Sequence, residues 1–434
     1  MAGGLRRYGV CRWLGLALPA AALLLALNAI AFSAWPTVRE IAFCGNYTTR
    51  QETMLREMTL HVGDPADPAR IEASRQAIQD LGLFRSVSVE STTLRDGVRL
   101  LFTVREKFNV LPVPRVEGNG GGDYGYGAQL RWNNLWGLNH TLTLQAMRRH
   151  YHDPDKTSDS TLQFGYSVPF FDGGPYGLST SLGLRNQNSL DAQGNPYRET
   201  FQNLQLLGTY ALGREHPSNG WSLAAGLDWQ RDAPSGRFAP HPPSYALGPV
   251  LGASLNDLRY LIYSEEGQRF RVTTQLSLDG VAANYNSSAT SLSYRRDWHL
   301  GSTPHQTLEL LANGGFYLGG AEGHRHDFYS LGGQRVLRGY PSSFSQGDYG
   351  YYAGVSWLRP VRFDWLRLLV VAEAGNTYDG TRLVGRSPVY ASIGLGLRAR
   401  VNWLVNLELE AGAAVPLVDG HGVRLFAGTV NQGR

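Results

Sequence analysis

The chain of 434 residues is poor in several things. It has two cysteines, Cys11 and Cys44, two lysines, Lys107 and Lys156, and only 18% charged residues. So few cysteines exclude a disulfide-stapled scaffold. A mean hydropathy of −0.26 excludes a bundle of membrane helices. The Gly-x-Ser-x-Gly elbow is absent, as is any other convincing nucleophile constellation, so no catalytic residue and no enzymatic activity are expected. His324 and His326 flank Arg325, and His150, His152 and Asp153 cluster elsewhere. Neither group has the spacing of a metal set, so no metal and no cofactor are expected. The net charge of +4 overstates the basic character, because Arg6, Arg7 and Arg12 sit in a segment without acidic residues. Past Ala31 there are 37 basic and 36 acidic residues, which gives no reason to expect a nucleic-acid partner.

What the chain has in quantity is 52 glycines and 22 tyrosines. Spread through alternating segments, these suit a transmembrane β-barrel, with small residues lining the lumen and aromatics marking the interfaces. Residues 1–31 have a basic start, an apolar run from Leu14 to Leu27, and then Ala29-Ile30-Ala31. That layout predicts a signal peptide, cleaved near Ala31. Cys11 would leave with it and Cys44 would stand alone.

Residues 36–107 read as a small α+β unit. Val38 to Phe43 alternates as a strand ended by Gly45-Asn46. Thr49, with Glu52 three residues on, predicts a capped helix to about Met58. Asp67 and Pro68 start a second helix, whose Ile71, Ala77, Ile78 and Leu81 share a face with Ser74. Gly82 ends it. Phe84 to Glu90 and Val98 to Val104 are two more strands around Asp96-Gly97.

From residue 108 to 434 strand follows strand. Val389, Ala391, Ile393, Leu395, Leu397, Ala399 and Val401 alternate with Tyr390, Ser392, Gly394, Gly396, Arg398 and Arg400. Val405, Leu407, Leu409 and Ala411 likewise oppose Asn406, Glu408 and Glu410. About sixteen strands are expected, an even number as in bacterial barrels. Their centres fall near Arg115, Ala128, Leu144, Gly165, Leu182, Leu206, Ala225, Leu251, Thr274, Leu292 and Leu310, then Val355, Val370, Leu395, Leu407 and Phe426. Pro112 and Pro114 make the first an edge strand, where barrel closure would be weakest. Tyr349, Tyr351 and Trp357 lie toward the ends of their apolar row, as girdle aromatics do. The fold class is therefore mainly β, a 16-stranded antiparallel transmembrane β-barrel preceded by one small α+β domain.

The longest stretch without alternation, residues 319–348, holds Leu331-Gly332-Gly333 and Leu337-Arg338-Gly339-Tyr340. An arginine held inside a barrel needs an anion, since an unpaired buried charge costs several kcal/mol. Glu373 is the natural one, because alternation from Trp365 to Gly375 turns Arg367, Val371, Glu373 and Gly375 toward the lumen. Arg398, Arg400, Glu408 and Glu410 read as a lumen charge ladder.

The loop motif resembles the barrel-plugging loop of the BamA/TamA superfamily. Val371-Ala372-Glu373-Ala374-Gly375 is similar to the superfamily's Phe-x-Asp-x-Gly strand, with Val371 for the aromatic and Glu373 for the aspartate. A further acidic position of that pattern falls on Ser356, so Glu373 alone is carried over as partner of the plug, with Gly375 beside it. Ile41 to Asn46, Leu81 to Phe84 and Val104 to Lys107 resemble a POTRA domain. The resemblance implies a bacterial outer-membrane protein of the surface-antigen type, its POTRA domain in the periplasm and its barrel in the lipid bilayer. It further implies that Gly332, Gly333, Leu337, Arg338, Gly339 and Tyr340 form the plug motif. The partners so implied are an unfolded client polypeptide or a secreted partner, with periplasmic assembly factors. Three roles follow: insertion or assembly of other proteins through the seam, a two-partner-type secretion pore, or a passive porin-like channel or surface antigen.

Overall fold

The computed structural model describes residues 35–118, 124–151, 157–171, 173–190, 194–213, 218–239, 241–320, 329–333, 335–341, 344–379 and 388–430. The expected signal segment, and His324 and His326, lie outside these residues.

The N-terminal unit runs β1 (Val38–Cys44), α1 (Gln51–Leu55), α2 (Pro68–Asp80), β2 (Phe84–Leu94) and β3 (Gly97–Glu106). Its sheet has the order β1-β3-β2, with β1 parallel and β2 antiparallel to β3. Asp67 caps α2 by accepting a hydrogen bond from the Ala69 N–H at 3.0 Å, and Pro68 follows at the first helical position. Ser74 on the buried face of α2 is fully enclosed, and its hydroxyl accepts from the Leu60 N–H at 3.2 Å. The polar interruption of that face is thus a satisfied tie to the preceding loop. The expected capping box at Thr49 does not form. Helix α1 starts after Arg50 with no side-chain cap, and the Thr49 hydroxyl instead accepts from Asn134 of the barrel at 2.8 Å. The docking of two units outcompetes a local cap.

The barrel begins with β4 (Val110–Gly118), β5 (Tyr124–Leu135), β6 (His140–His150), β7 (Asp159–Val168), β8 (Tyr176–Leu190) and β9 (Pro196–Ala211). It continues through β10 (Gly220–Ser235), β11 (Ser244–Tyr260), β12 (Glu265–Ser277), β13 (Ser287–His299) and β14 (Thr307–Gly319). A small hairpin of β15 (Tyr329–Leu331) and β16 (Ser345–Gly347) stands apart from the wall. The wall resumes with β17 (Tyr349–Pro360), β18 (Leu366–Tyr378), β19 (Tyr390–Arg400), β20 (Glu408–Pro416) and β21 (Arg424–Thr429). Sixteen strands form one antiparallel sheet from β4 to β21, β14 pairing directly with β17.

Leucine side chains such as Leu162, Leu206, Leu227, Leu251 and Leu395 are exposed on the outer face, while Ser392, Arg398, Glu408 and Glu410 are buried on the inner one. A soluble sheet would invert this; hydrocarbon outside and polar groups within is the membrane-barrel arrangement. Exposed Trp136, Tyr176, Trp221, Trp298, Trp365 and Trp403 ring the end next to the N-terminal unit. Tyr124, Tyr126, Tyr245, Phe316 and Tyr351 are exposed toward the other end. Two aromatic girdles bound the apolar band.

One expected strand is misplaced. Alternation puts Val405 and Leu407 in an outward apolar row, but β20 starts at Glu408. Residues 401–407 form a turn with Asn406 in the left-handed region, and Val405 is buried within the core of the N-terminal unit. That unit also meets the turns after β5, β7, β9 and β11. Thr53 donates to the Gly137 carbonyl at 2.8 Å, Arg56 lies over Phe170 at 4.6 Å, Ser218 donates to Glu57 at 3.2 Å, and Lys107 donates to the Tyr260 hydroxyl at 2.6 Å. Burial pushes the Arg56 guanidinium below its ordinary range, and the neighbouring Glu57 carboxylate opposes the shift.

Gly137 is the tightest of these contacts. Its φ is +75°, and an added Cβ would lie 2.2 Å from the Thr48 carbonyl oxygen. Gly137→Ala is expected to lift the N-terminal unit off the rim. Exchange of the Arg50 amide, which donates to the Gly137 carbonyl at 3.0 Å, should accelerate about tenfold or more, as ~1.4 kcal/mol of local opening requires. Unchanged exchange would show that the rim contact does not depend on this approach.

Candidate functional site

The loop between β14 and β17 folds back into the lumen on a base formed by β15 and β16. Gly332 and Gly333 have φ of +99° and +129°, and a Cβ on Gly332 would lie 2.0 Å from the Pro341 carbonyl oxygen. The Gly333 amide donates to Tyr340 at 3.2 Å and the Tyr340 amide to Leu337 at 3.0 Å, with Leu337 itself in the left-handed region. This tight turn presents Arg338 at its tip. Leu331, Leu337 and Tyr340 pack with Tyr352 into an enclosed cluster. The Tyr340 hydroxyl donates to the Ala391 carbonyl at 3.1 Å and also bonds the Val418 carbonyl. Gly339 and Gly375 make room: a Cβ at Gly339 would lie 2.7 Å from the Ser392 Cβ, and one at Gly375 3.3 Å from Leu331.

Arg338 is 8% exposed and Glu373 4%. The Arg338 guanidinium bonds Glu373 through Nη1, and its backbone N–H donates to the same carboxylate at 2.7 Å. Glu373 also accepts from the Tyr352 hydroxyl at 2.8 Å and the Ser392 hydroxyl at 3.0 Å. With each lone-pair direction met, a buried carboxylate is tolerable.

The sequence reading missed one partner. Arg338 Nε donates to Glu410 of β20 at 2.9 Å, with Nη2 2.8 Å from the same oxygen. Glu410 was visible as a lumen residue, but nothing in alternation says which wall residue a loop will reach. Ser356 is buried in the wall without a place in this cluster's bonds.

From Glu410 a chain of ion pairs runs down the inner wall. Arg398 lies 2.7 Å from Glu410 and 3.2 Å from Glu309. Arg295 meets Glu309 and Glu265 at 2.9 Å and Asp297 at 2.7 Å. Near the rim, Glu408 takes Arg367 at 2.7 Å and Arg400 at 3.3 Å. The loop arginine is therefore the upper end of a network spanning β12 to β20. Such a network is conformationally decisive because any missing member strands a charge in a low-dielectric interior.

A second feature lies where the sheet begins and ends. No ladder joins β4 to β21 among the described residues. Proline lacks the N–H a ladder needs, so in a strand already paired with β5 it is tolerated where its nitrogen faces the unpaired side. Pro112 and Pro114 thus remove donors from the free edge of β4. At the opposite edge β21 has only six residues. Arg335 of the loop donates to Thr429 of β21 at 3.2 Å, so the loop touches the seam as well as the wall.

Residues 36–107 match the family described as POTRA, surface antigen variable number repeat. Among curated proteins the chain is similar to the outer membrane protein assembly factor BamA of Neorickettsia risticii, 30% identical over 113 residues. That match covers 26% of this chain and only 15% of the relative's length. Among solved structures it resembles BamA from Haemophilus ducreyi lacking POTRA domains 1-3, at a TM-score of 0.53 and 17% identity, covering 91% of this chain and 84% of that one. It also resembles CdiB from Acinetobacter baumannii, with a TM-score of 0.59, 15% identity and coverage of 91% and 73%. CdiB from Escherichia coli gives 0.60, 16%, 91% and 76%. The N-terminal unit on the rim thus matches the POTRA family, and the sixteen-stranded barrel behind it has the fold of the BamA and CdiB barrels.

Proposed function

We propose that this protein inserts or translocates polypeptides at the bacterial outer membrane, with the POTRA domain in the periplasm as the receiving surface and the β4–β21 seam as the exit. The observation that carries this reading is the seam: a sheet edge in lipid must be satisfied, and an edge short of its own ladder is a template for an incoming strand. The POTRA unit supports it from the other end. A groove of about 480 Å³ lies between α2 and β2, lined by Trp35, Ala66, Pro68, Ile71, Ser91 and Thr93. An extended client adds a strand along β2 with its side chains in that groove, held mainly by backbone bonds that tolerate many sequences. Arg338, with Glu373 and Glu410, holds the loop as a plug while the client uses the seam.

A second reading, a secretion pore, is favoured by one feature. The plug meets the wall through side chains, Arg338 and the aromatic cluster with single bonds from Tyr329, Arg335 and Ser345, and its displacement would open the lumen. A passive channel is disfavoured because the loop reaches into the lumen and its Arg338 is tied there to Glu373 and Glu410.

Photo-crosslinkers at Thr93 and at Arg424 discriminate these. Insertion through the seam predicts unfolded polypeptide captured at both positions. Capture at Thr93 together with a lumen-facing position such as Gln205, and none at Arg424, would replace insertion by secretion. Capture at no position, with normal barrel biogenesis when the protein is depleted, would defeat both.

A further inference from the structure

We propose that an anionic phospholipid binds where the N-terminal unit joins the barrel, its phosphate on Arg85 and an acyl chain along the outer face of β4. Arg85 lies at the start of β2, where the ladder to β3 slips between Phe84 and Ser86. Its guanidinium stands over the Phe108 ring at 5.9 Å. Phe108 is 62% exposed and meets the Trp403 ring edge-on at 6.3 Å, and its N–H donates to the Trp403 carbonyl at 2.9 Å. Trp403 belongs to the aromatic girdle at this end of the barrel, so Arg85 sits at headgroup depth. In the orientation proposed above, on which this step rests, that is the periplasmic leaflet, which is built of phospholipid.

The cation has no anion of its own. Arg85 is half-buried and makes no hydrogen bond or ion pair with any described residue, and its Nε is buried without a partner. Arg105, the register partner of Ser86, is exposed and equally without an ion pair among the described residues. The neighbouring carboxylate, Glu106, is committed to the backbone. It accepts from the Thr48 N–H at 2.9 Å and the Thr49 N–H at 2.6 Å. Lys107 is turned to the Gly82 carbonyl and the Tyr260 hydroxyl, at 3.0 and 2.6 Å. A guanidinium held on a ring by packing, at a lipid interface, is complementary to a phosphate, whose oxygens match its fork.

The apolar part of the site follows from alternation. From Phe108 the exposed row continues through Val110, Pro112 and Pro114. Val110 pairs with Trp132 and Pro112 with Leu130 of β5. The valine and prolines are shorter than the side chains beside them, so the row is a track leading from the girdle into the apolar band. In a bilayer hydrocarbon fills such a track, and leaving it empty forfeits the contacts of its lining.

The test uses the full chain in detergent, titrated with phosphatidylglycerol or phosphatidylcholine and read by native mass spectrometry. The wild type should retain one phosphatidylglycerol at activation energies that strip phosphatidylcholine. Arg85→Gln should lower that affinity about tenfold, the worth of one charge-assisted bond, with Arg85→Lys retaining most of it. Val110→Trp should weaken retention by filling the track while leaving the charge. Arg148→Gln, an exposed arginine of the far girdle, should bind as the wild type does. Heat-modifiable gel mobility confirms each barrel, and exchange at the Arg50 amide confirms that the N-terminal unit stays docked. Equal retention of the two lipids, an unchanged affinity in Arg85→Gln, or an equal loss in Arg148→Gln would overturn the site. Displacement of the lipid by inorganic phosphate alone would overturn its assignment to a lipid. Binding in detergent is read without reference to a leaflet, so its failure leaves the proposed orientation standing.

Discussion

Arg338→Ala should release the loop from the lumen and turn a closed barrel into a conducting one. The substitution removes the side-chain bonds to Glu373 and Glu410 at once. Glu410 keeps Arg398, but Glu373 is left with hydroxyls and a backbone N–H as its partners. Breaking a buried pair on one side typically costs about 3–5 kcal/mol, because the surviving charge stays desolvated. That is enough to shift the docking equilibrium of a loop whose other wall contacts are the Tyr340 cluster and single side-chain bonds. Glu373→Ala should be milder, since Arg338 retains Glu410. The double variant Arg338→Ala/Glu373→Ala should be little worse than Arg338→Ala, the non-additivity of residues in contact. Single-channel conductance, with amide exchange at Gly339 as the loop-specific readout, measures all four proteins. Closed-channel behaviour of Arg338→Ala, or fully additive effects, would reduce the pair to a bystander.

A second release should come without touching any charge. Gly339→Val places a Cβ 2.7 Å from the Ser392 Cβ, 2.8 Å from the Pro416 nitrogen and 2.9 Å from the Val415 carbonyl carbon. Two of those three neighbours are backbone of the paired wall and cannot give way cheaply. Overpacking of this kind costs about 1–3 kcal/mol even in yielding cores, and here the loop is the softer party. Gly339→Val should therefore conduct as Arg338→Ala does, while the barrel keeps its thermal stability. Gly314→Ala, whose Cβ would meet nothing closer than 3.7 Å, is the matched control and should stay closed. A closed Gly339→Val channel would mean that the loop docks with slack the packing does not show.

Much of the barrel was legible because lipid imposes a rule on each strand separately. Every second residue must be apolar, so Leu395 and Arg398 declare their faces locally, as do Val370 and Glu373. The same rule turned Glu408 and Glu410 inward with no knowledge of their neighbours. It failed at Val405 and Leu407, where alternation continues by chance through a turn, because the partner of Val405 is a POTRA core remote in sequence. It failed again at Thr49, whose hydroxyl serves Asn134 and not its own helix. Both misses are places where two separately folding patterns touch.

The sequence by itself determined the membrane-barrel pattern, the strand count, the POTRA-like order of elements and the inward aim of Arg398, Glu373 and Glu410, since each follows from period-two patterning or local turn chemistry. Only the tertiary structure decided that Arg338 is shared between Glu373 and Glu410, that ion pairs of the wall arginines link β12 to β20, and that no ladder joins β4 to β21 among the described residues. Those depend on which strands become neighbours when the sheet curls. Alternation sets the face of a side chain but says nothing of the distance across a lumen.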